Sequence, residues 1–281
     1  MRFPFAQLPP VRVSSTGALP RRATSNSDIR GRVPELAGPH HRPRFRNPRS
    51  AASPGTDDLC DSGSRGVRLL RTLARYIMES GEWQLASTLP PVPTSRDFAA
   101  MRLQIEAMAS AQRHDYSAAQ SAGDRLTALA DEPGQRQLAK EVLNIQAREA
   151  RAVAAIASGE PSKALAMMEA AAAIEDSIYA LSQPPYPPIP VHELYGTMLL
   201  EMHQPGQARV QFAETLKRTP GRPKAIFGLA RAAQTLGDYQ TAAKQYENFL
   251  QLWKSADPGR PEVVSAKQFL ASHPVQFRQD R

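Results

Sequence analysis

Histidine and cysteine side chains are frequent metal ligands and catalytic groups, and this chain contains six histidines and one cysteine. No histidine stands at metal-ligand spacing from another histidine, a cysteine or a carboxylate on one helix face. His192 and Glu193 are adjacent, so on a helix their side chains point about 100° apart. The sequence therefore predicts no metal site. It favours ordinary surface or turn positions for the histidines, which are His40, His41, His114, His192, His203 and His273.

The cysteine and the glycine-containing loops lack the surroundings that catalysis requires. Cys60 lies in the acidic stretch Asp57–Asp61, and neighbouring carboxylates disfavour the reactive thiolate. The stretch Thr219–Lys224 does not have the spacing of a phosphate-binding loop, and no Gly-x-Ser-x-Gly motif occurs. We therefore expect a protein without enzymatic activity and without a cofactor. The longest apolar stretch, Ala164–Ile174, is too short to span a bilayer.

The positive charge of the chain is concentrated in its first 65 residues. The net charge is +8, and residues 1–65 contain 11 Arg but only 5 acidic side chains. Residues 66–281 contain 24 basic and 22 acidic side chains, so this predicted body is close to neutral. Residues 1–65 are also rich in Pro, Ser and Gly and lack periodic apolar positions, which predicts a disordered leader.

Three interpretations of this leader stay open. The first is a dispensable tail or an upstream stretch translated from a misassigned start codon. The second is a nucleic-acid-binding arm, and the third is an organelle transit peptide. Its many prolines oppose the amphipathic helix of a transit peptide. No secretory signal is visible, so we expect a cytoplasmic location by default. If the start site is misassigned, an extracytoplasmic location is the alternative. The arginines that would neutralise phosphates are Arg21, Arg22, Arg42, Arg44 and Arg46.

A recurring alanine organises residues 66–281. Each of five alanines follows a predicted turn by five or six residues and begins an amphipathic helix. The last two are 34 residues apart, and Phe212/Tyr246 and Leu216/Leu250 repeat with the same spacing. A 34-residue period in helix-forming sequence is typical of stacked helical hairpins. The five alanines are Ala86, Ala119, Ala164, Ala208 and Ala242.

Turn and breaker residues divide this body into five predicted hairpins followed by a helix with a polar outer face, which is typical of a solenoid cap. The proline-rich stretch Ser182–Pro190 is predicted to be a stiff connector, and a polyproline ligand is the alternative. Strand signals are sparse. The predicted hairpins cover about residues 67–89, 96–130, 135–178, 190–218 and 223–253, and the predicted capping helix covers residues 261–272.

Residues 189–256 resemble two tetratricopeptide repeats, and residues 67–130 and 135–178 resemble them as well. The chain is also similar to the C-terminal part of uncharacterised bacterial tetratricopeptide proteins, which would make it a fragment of a longer array. The resemblance implies an all-α, right-handed superhelical solenoid that binds a peptide or helix in a concave groove. It depends on Gly196, Leu199, Ala208, Phe212 and Pro220 in one repeat and on Leu229, Ala230, Gly237, Tyr239, Ala242 and Tyr246 in the other.

In tetratricopeptide repeats the first helix of each hairpin lines the groove through its second, fifth, ninth and twelfth positions. For the third hairpin these positions are Gln146, Glu149, Val153 and Ile156, and for the fourth they begin at Pro190. The resemblance therefore implies a peptide-binding groove. Its main residues are Glu193, Thr197, Leu200, Lys224, Phe227, Arg231 and Gln234.

This implied groove combines apolar positions with two cations, which suits an extended peptide or a partner helix. An ordinary solvated face is the other interpretation of Lys224 and Arg231. We expect a non-enzymatic protein-interaction or scaffold module. The alternative is a nucleic-acid-associated protein that acts through its Arg-rich leader. The sequence leaves the partner, the compartment and the oligomeric state open.

Overall fold

A computed structural model describes residues 72–89, 96–179, 188–256 and 259–273. Within these ranges every regular element is helical and no β-strand occurs, so the predicted all-α class is confirmed there. None of the helices within them is both long and apolar enough to cross a bilayer. The predicted disordered leader, with its arginines and Cys60, lies outside the described residues, as does most of the Ser182–Pro190 connector.

The described ranges contain ten α-helices and one 3-10 helix, and all of them belong to one compact unit. Pro161, Pro205 and Pro223 begin three of the α-helices, where a missing N–H removes no intrahelical hydrogen bond. The elements are α1 (described over residues 72–80), the 3-10 helix (Trp83–Thr88), α2 (Arg96–Gln112), α3 (Tyr116–Asp131), α4 (Gln137–Ala157), α5 (Pro161–Ile178), α6 (Val191–Glu201), α7 (Pro205–Arg218), α8 (Pro223–Thr235), α9 (Tyr239–Leu252) and α10 (Pro261–Ser272).

Consecutive helices from α2 to α9 pack against each other in pairs, which occupy the residues of the second to fifth predicted hairpins. The first helices of these pairs also contact one another in order, α2 with α4, α4 with α6, and α6 with α8. Helix α10 covers α9 and occupies the residues of the predicted cap. The first helices therefore form one layer, and this layer positions the candidate site.

Four turns within these pairs share one backbone geometry. Each contains a residue with φ between 58° and 80°, and the N–H of the next residue donates to the carbonyl five positions earlier. These hydrogen bonds satisfy carbonyls at the end of the first helix, as in a Schellman motif. The turns lie within the ranges of the second to fifth predicted hairpins, and two of them use histidine. The left-handed residues are His114, Gly159, His203 and Gly237.

The recurring alanine lies five residues after each left-handed residue. Four of these alanines are fully buried, with 0% of their surface exposed, and the fifth, Ala86, is partly buried. A buried methyl at this position leaves no space for a larger side chain between closely packed helices. The four fully buried alanines are Ala119, Ala164, Ala208 and Ala242.

Phe212 of α7 packs against glycines in two first helices. A Cβ atom added at Gly196 of α6 would lie 3.0 Å from its ring, and one added at Gly228 of α8 would lie 2.4 Å away. The ring is buried. The absence of a side chain at both glycines therefore lets the ring fill the space between α6 and α8.

Residues 72–89, which we call the 72–89 segment, differ from the predicted first hairpin. Their second element is a six-residue 3-10 helix rather than an α-helix. Leu89 has extended backbone angles because it precedes Pro90, and proline disfavours the helical conformation of the residue before it. Ile77, Met78, Trp83 and Leu89 are buried in the largest hydrophobic cluster together with residues of α2, α4, α5 and α6. At about 1.5–3 kcal/mol for each large side chain, this burial contributes roughly 6–12 kcal/mol.

We predict that Gly228→Ala lowers the free energy of unfolding by about 1–3 kcal/mol, because the new methyl group would overlap the buried ring of Phe212. The measurement is urea denaturation followed by far-ultraviolet circular dichroism. Gly206→Ala is the matched control, since a Cβ atom there meets nothing within 4 Å. It is expected to be neutral or stabilising by up to about 1 kcal/mol. Equal effects of the two substitutions would contradict the packing role of Gly228.

Candidate functional site

A cavity of about 590 Å³ lies among the 72–89 segment, α6, α8, the end of α9 and the start of α10. Six of the seven residues implied by the resemblance line it. On α6 and on α8 they are spaced so that each set of three shares one helix face. These six residues are Glu193, Thr197, Leu200, Lys224, Phe227 and Arg231.

Gln234 is the seventh residue and does not line the cavity. Its Oε1 accepts a hydrogen bond from the hydroxyl group of Tyr246, at 2.7 Å. It lies one helical turn beyond Arg231 on α8, towards the end of that helix. The structure thus gives Gln234 an intramolecular contact with α9 and no place in the candidate site.

Aromatic rings form much of the cavity wall. The centroid of the Phe227 ring lies 5.1 Å from that of Phe249, which lies 4.9 Å from that of Trp253. Phe212 and Trp83 contribute two more rings, so both tryptophans of the chain line this cavity. Sequence reasoning missed these four residues because it considered only the first helix of each hairpin. They come from α7, from α9 and the residue that follows it, and from the 72–89 segment.

An ion-pair cluster lies behind Glu193 at the cavity wall. Arg222 donates two hydrogen bonds to the carboxylate of Glu193, at 2.7 and 2.8 Å, and a third to Glu79 Oε1, at 2.5 Å. Burial by itself disfavours the charge of Arg222, but the two carboxylates raise its pKa, so the guanidinium stays charged. Both carboxylate oxygens of Glu193 therefore accept hydrogen bonds from Arg222. Glu193 lines the cavity, but its carboxylate is already paired within the protein.

Lys224 lies beside this cluster. Its Nζ donates to the main-chain carbonyl of Met78, at 2.7 Å, and lies 4.0 Å from Glu79 Oε2. Burial lowers the pKa of Lys224, while the nearby carboxylates of Glu193 and Glu79 oppose that shift. An ammonium group has three N–H donors, so the Met78 carbonyl does not exhaust the donors of Lys224.

Arg231 lies at the cavity rim. Its Nη2 is 3.7 Å from Glu201 Oε1, and 45% of its side chain is exposed. An exposed pair at this distance contributes little to stability. Arg231 can therefore exchange this contact for one to a ligand at small cost.

The groove positions implied for the third hairpin are covered rather than open. Gln146, Glu149 and Val153 are buried, and Ile156 is partly buried. Gln104 of α2 covers two of them, because it donates a hydrogen bond to Glu149 Oε2 and accepts one from Gln146 Nε2, at 3.0 Å. These residues are part of the core and are not available to a partner.

Glu149 is a buried carboxyl group with an incomplete set of hydrogen bonds. It is 0% exposed, and its Oε1 has no hydrogen-bond partner among the described residues. Burial raises the pKa of Glu149 well above its ordinary value, and the nearby Glu175 and Glu193 raise it further. The hydrogen bond from Gln104 opposes this shift. The neutral, protonated form of Glu149 is therefore favoured by folding.

His192 is buried, which corrects its interpretation as a surface or turn residue. Its Nε2 lies 3.0 Å from Asp176 Oδ1, and its Nδ1 lies 2.6 Å from Gln211 Oε1. Burial opposes the ionisation of Asp176, but hydrogen bonds from Arg218 and His192 lower its pKa. Within the described residues no group of three His, Cys, Asp or Glu could hold a metal. The cluster instead joins α5 to α6 and α7.

Glu175 extends this cluster to the start of α6. Its Oε1 accepts a hydrogen bond from the Val191 N–H, at 3.0 Å, and its Oε2 accepts one from Arg218 Nη1, at 3.1 Å. Burial raises the pKa of Glu175, against the effect of these partners. Because Glu175 and Val191 lie on opposite sides of residues 180–187, these contacts set how the chain enters α6.

The chain matches no protein-family model, no curated protein and no solved structure. Function must therefore be inferred from the contacts of the site itself. The four similar turns, the four buried alanines and the cavity are properties of this chain, and they do not depend on a relative.

We predict that Glu149→Gln reduces the pH dependence of stability. Since the folded-state pKa of Glu149 is raised, its protonated form contributes stability that is complete below about pH 4.3, the unfolded pKa of Glu, and is lost as the pH rises through the folded pKa. Urea denaturation at several pH values should therefore show Glu149→Gln gaining stability over the unsubstituted protein as the pH rises, by about 1–3 kcal/mol. The control is Glu247→Gln at an exposed position of α9. Parallel pH profiles for the unsubstituted protein and Glu149→Gln would contradict this role.

Proposed function

We propose that residues 66–281 form a tetratricopeptide-like solenoid that binds a short peptide segment of another protein without catalysing a reaction. The observation that carries this proposal is the convergence of six implied groove residues on one cavity. The recurrence of one turn geometry and one buried alanine in four successive helix pairs supports the repeat architecture. Contacts between successive first helices support a continuous inner surface.

The cavity dimensions favour a compact anchor over a long helix. Its volume of about 590 Å³ lies within the range of roughly 300–1,000 Å³ that is typical of ligand pockets. One or two large apolar side chains of a peptide would fill it and contact Phe227, Phe249 and Trp253. Interfaces derive most of their affinity from a few such buried anchors. We therefore propose a peptide with a bulky apolar anchor.

The polar groups around the rings fit the main chain of the same peptide. Lys224 and Arg231 are donors without acceptor capacity, so they suit peptide carbonyls or a carboxylate. No histidine or cysteine occurs among the described residues that line the cavity. Nucleophilic catalysis commonly pairs a nucleophile with a histidine base, so this lining favours binding over chemistry.

A peptide-display library screened against the immobilised full-length chain tests this function. We predict that Phe227→Ala combined with Arg231→Ala weakens binding of a selected peptide about tenfold or more, which is about 1.4 kcal/mol or more. The measurements are the dissociation constant, from isothermal titration calorimetry, and helicity, from circular dichroism. Helicity should be unchanged.

Arg209→Ala is the matched control for the cationic part of this variant. Arg209 and Arg231 have almost equal side-chain exposure, 44% and 45%, and each pairs with one carboxylate. Only Arg231 lines the cavity. Arg231→Ala alone should therefore weaken binding, whereas Arg209→Ala should leave it unchanged. Equal affinities of the double variant and the unsubstituted protein would remove the proposal, as would a library that yields no binding peptide.

A further inference from the structure

The 72–89 segment contacts residues that lie more than 140 positions later in the chain. In a repeat array each unit contacts only its neighbours in sequence. The 3-10 helix of this segment follows that rule, since it packs on α2. The end of α1 does not, because Met78 and Glu79 contact Lys224 and Arg222 at the start of α8. This contact links the first described helix to the last predicted hairpin.

The chemistry of the contact is that of a helix end with an external cap. Met78 lies in the last turn of α1, where main-chain carbonyls have no partner within the helix. Lys224 donates to that carbonyl, and a cation at a helix C-terminus is also favoured by the helix dipole. Arg222 binds Glu79 of the segment and Glu193 of α6 together. One pair of cations therefore holds α1 against both α6 and α8.

The same segment provides a wall of the cavity. Met78 and Trp83 are each only 2% exposed, and both line the cavity opposite residues of α8 and α9. Lys224 touches the segment and lines the cavity as well. The position of the 72–89 segment therefore decides whether the cavity has its full shape.

We infer that the 72–89 segment is an intrachain strap whose docking on Arg222 and Lys224 completes the binding cavity. Its role as a strap stands without a ligand, and its role in binding rests on the proposed function. The partner then recognises a composite surface, formed by the strap on one side and by α8, α9 and α10 on the other. A substitution of Glu79 that loosens the strap should therefore weaken peptide binding, although Glu79 itself does not line the cavity.

Trp83 reports on the strap directly. The chain has two tryptophans, so Trp253→Phe leaves Trp83 as the only indole fluorophore. In that background we expect blue-shifted emission and weak quenching by acrylamide. Adding Glu79→Gln with Lys224→Met should increase the quenching constant several-fold, while circular dichroism retains the signal of α2 to α9. Strong acrylamide quenching of Trp83 in the Trp253→Phe variant alone would contradict the docking of the strap.

Glu82→Gln is the matched control for Glu79→Gln. Both glutamates belong to the segment, but Glu82 accepts its hydrogen bond from Tyr76 within the segment itself. In the Trp253→Phe background, Glu79→Gln alone should be quenched more strongly than Glu82→Gln. Equal quenching constants for these two variants would overturn the inference. Hydrogen exchange of the unsubstituted protein provides a measurement that needs no variant. The amides of residues 72–80 should be protected as strongly as those of α8, and early exchange of α1 alone would count against docking.

Peptide binding separates failure of the strap from failure of the proposed function. Glu79→Gln should weaken binding of a selected peptide several-fold, whereas Glu82→Gln should not. Unchanged affinity with an exposed Trp83 would show that the strap does not complete the site. A failure of every peptide to bind the unsubstituted protein would instead overturn the proposed function, and the quenching data would still decide whether the strap exists.

Discussion

The constraint on which the described structure depends is a left-handed turn residue followed five positions later by a buried alanine. The turn reverses the chain at the end of one helix, and the alanine methyl lets the next helix pack closely. Because this arrangement recurs in four successive pairs, the first helices meet in one layer. Phe212 then bridges α6 and α8 against two glycines, which brings the residues of the cavity together.

Several buried charges are paired with partners that lie far away in sequence. Arg222 satisfies both oxygens of Glu193, and Arg218 binds the carboxylates of Glu175 and Asp176. Removing one partner of such a pair leaves an uncompensated buried charge, which is strongly destabilising. Glu149 differs because it has an amide partner instead of a cation, and its protonated form is favoured. The ion pairs join the third predicted hairpin to the fourth, and the fourth to the start of α8.

The 72–89 segment shares one hydrophobic cluster with the first helices α2, α4 and α6. The proposed solenoid would by itself present an open groove along its first helices. Here Gln104 of α2 covers two inner positions of α4, and a cavity lies next to α8, α9 and α10. The apolar burial of the segment is large compared with one surface ion pair. Arg222 and Lys224 therefore set where its end docks, while hydrophobic packing holds it on the body.

The sequence by itself determined the helical class, the positions of the turns and the recurring alanine. These features depend on contacts within a few residues or on a regular period, so a single chain reveals them. Six of the cavity residues were implied only by the resemblance to tetratricopeptide repeats. Only the tertiary structure decided that Trp83 and Met78 line the cavity, that His192 and Glu149 are buried, and that Gln234 lies elsewhere. Those outcomes depend on pairs such as Lys224 with Met78, which lie far apart in sequence. Their meeting is set by how helices stack, and no local pattern encodes that geometry.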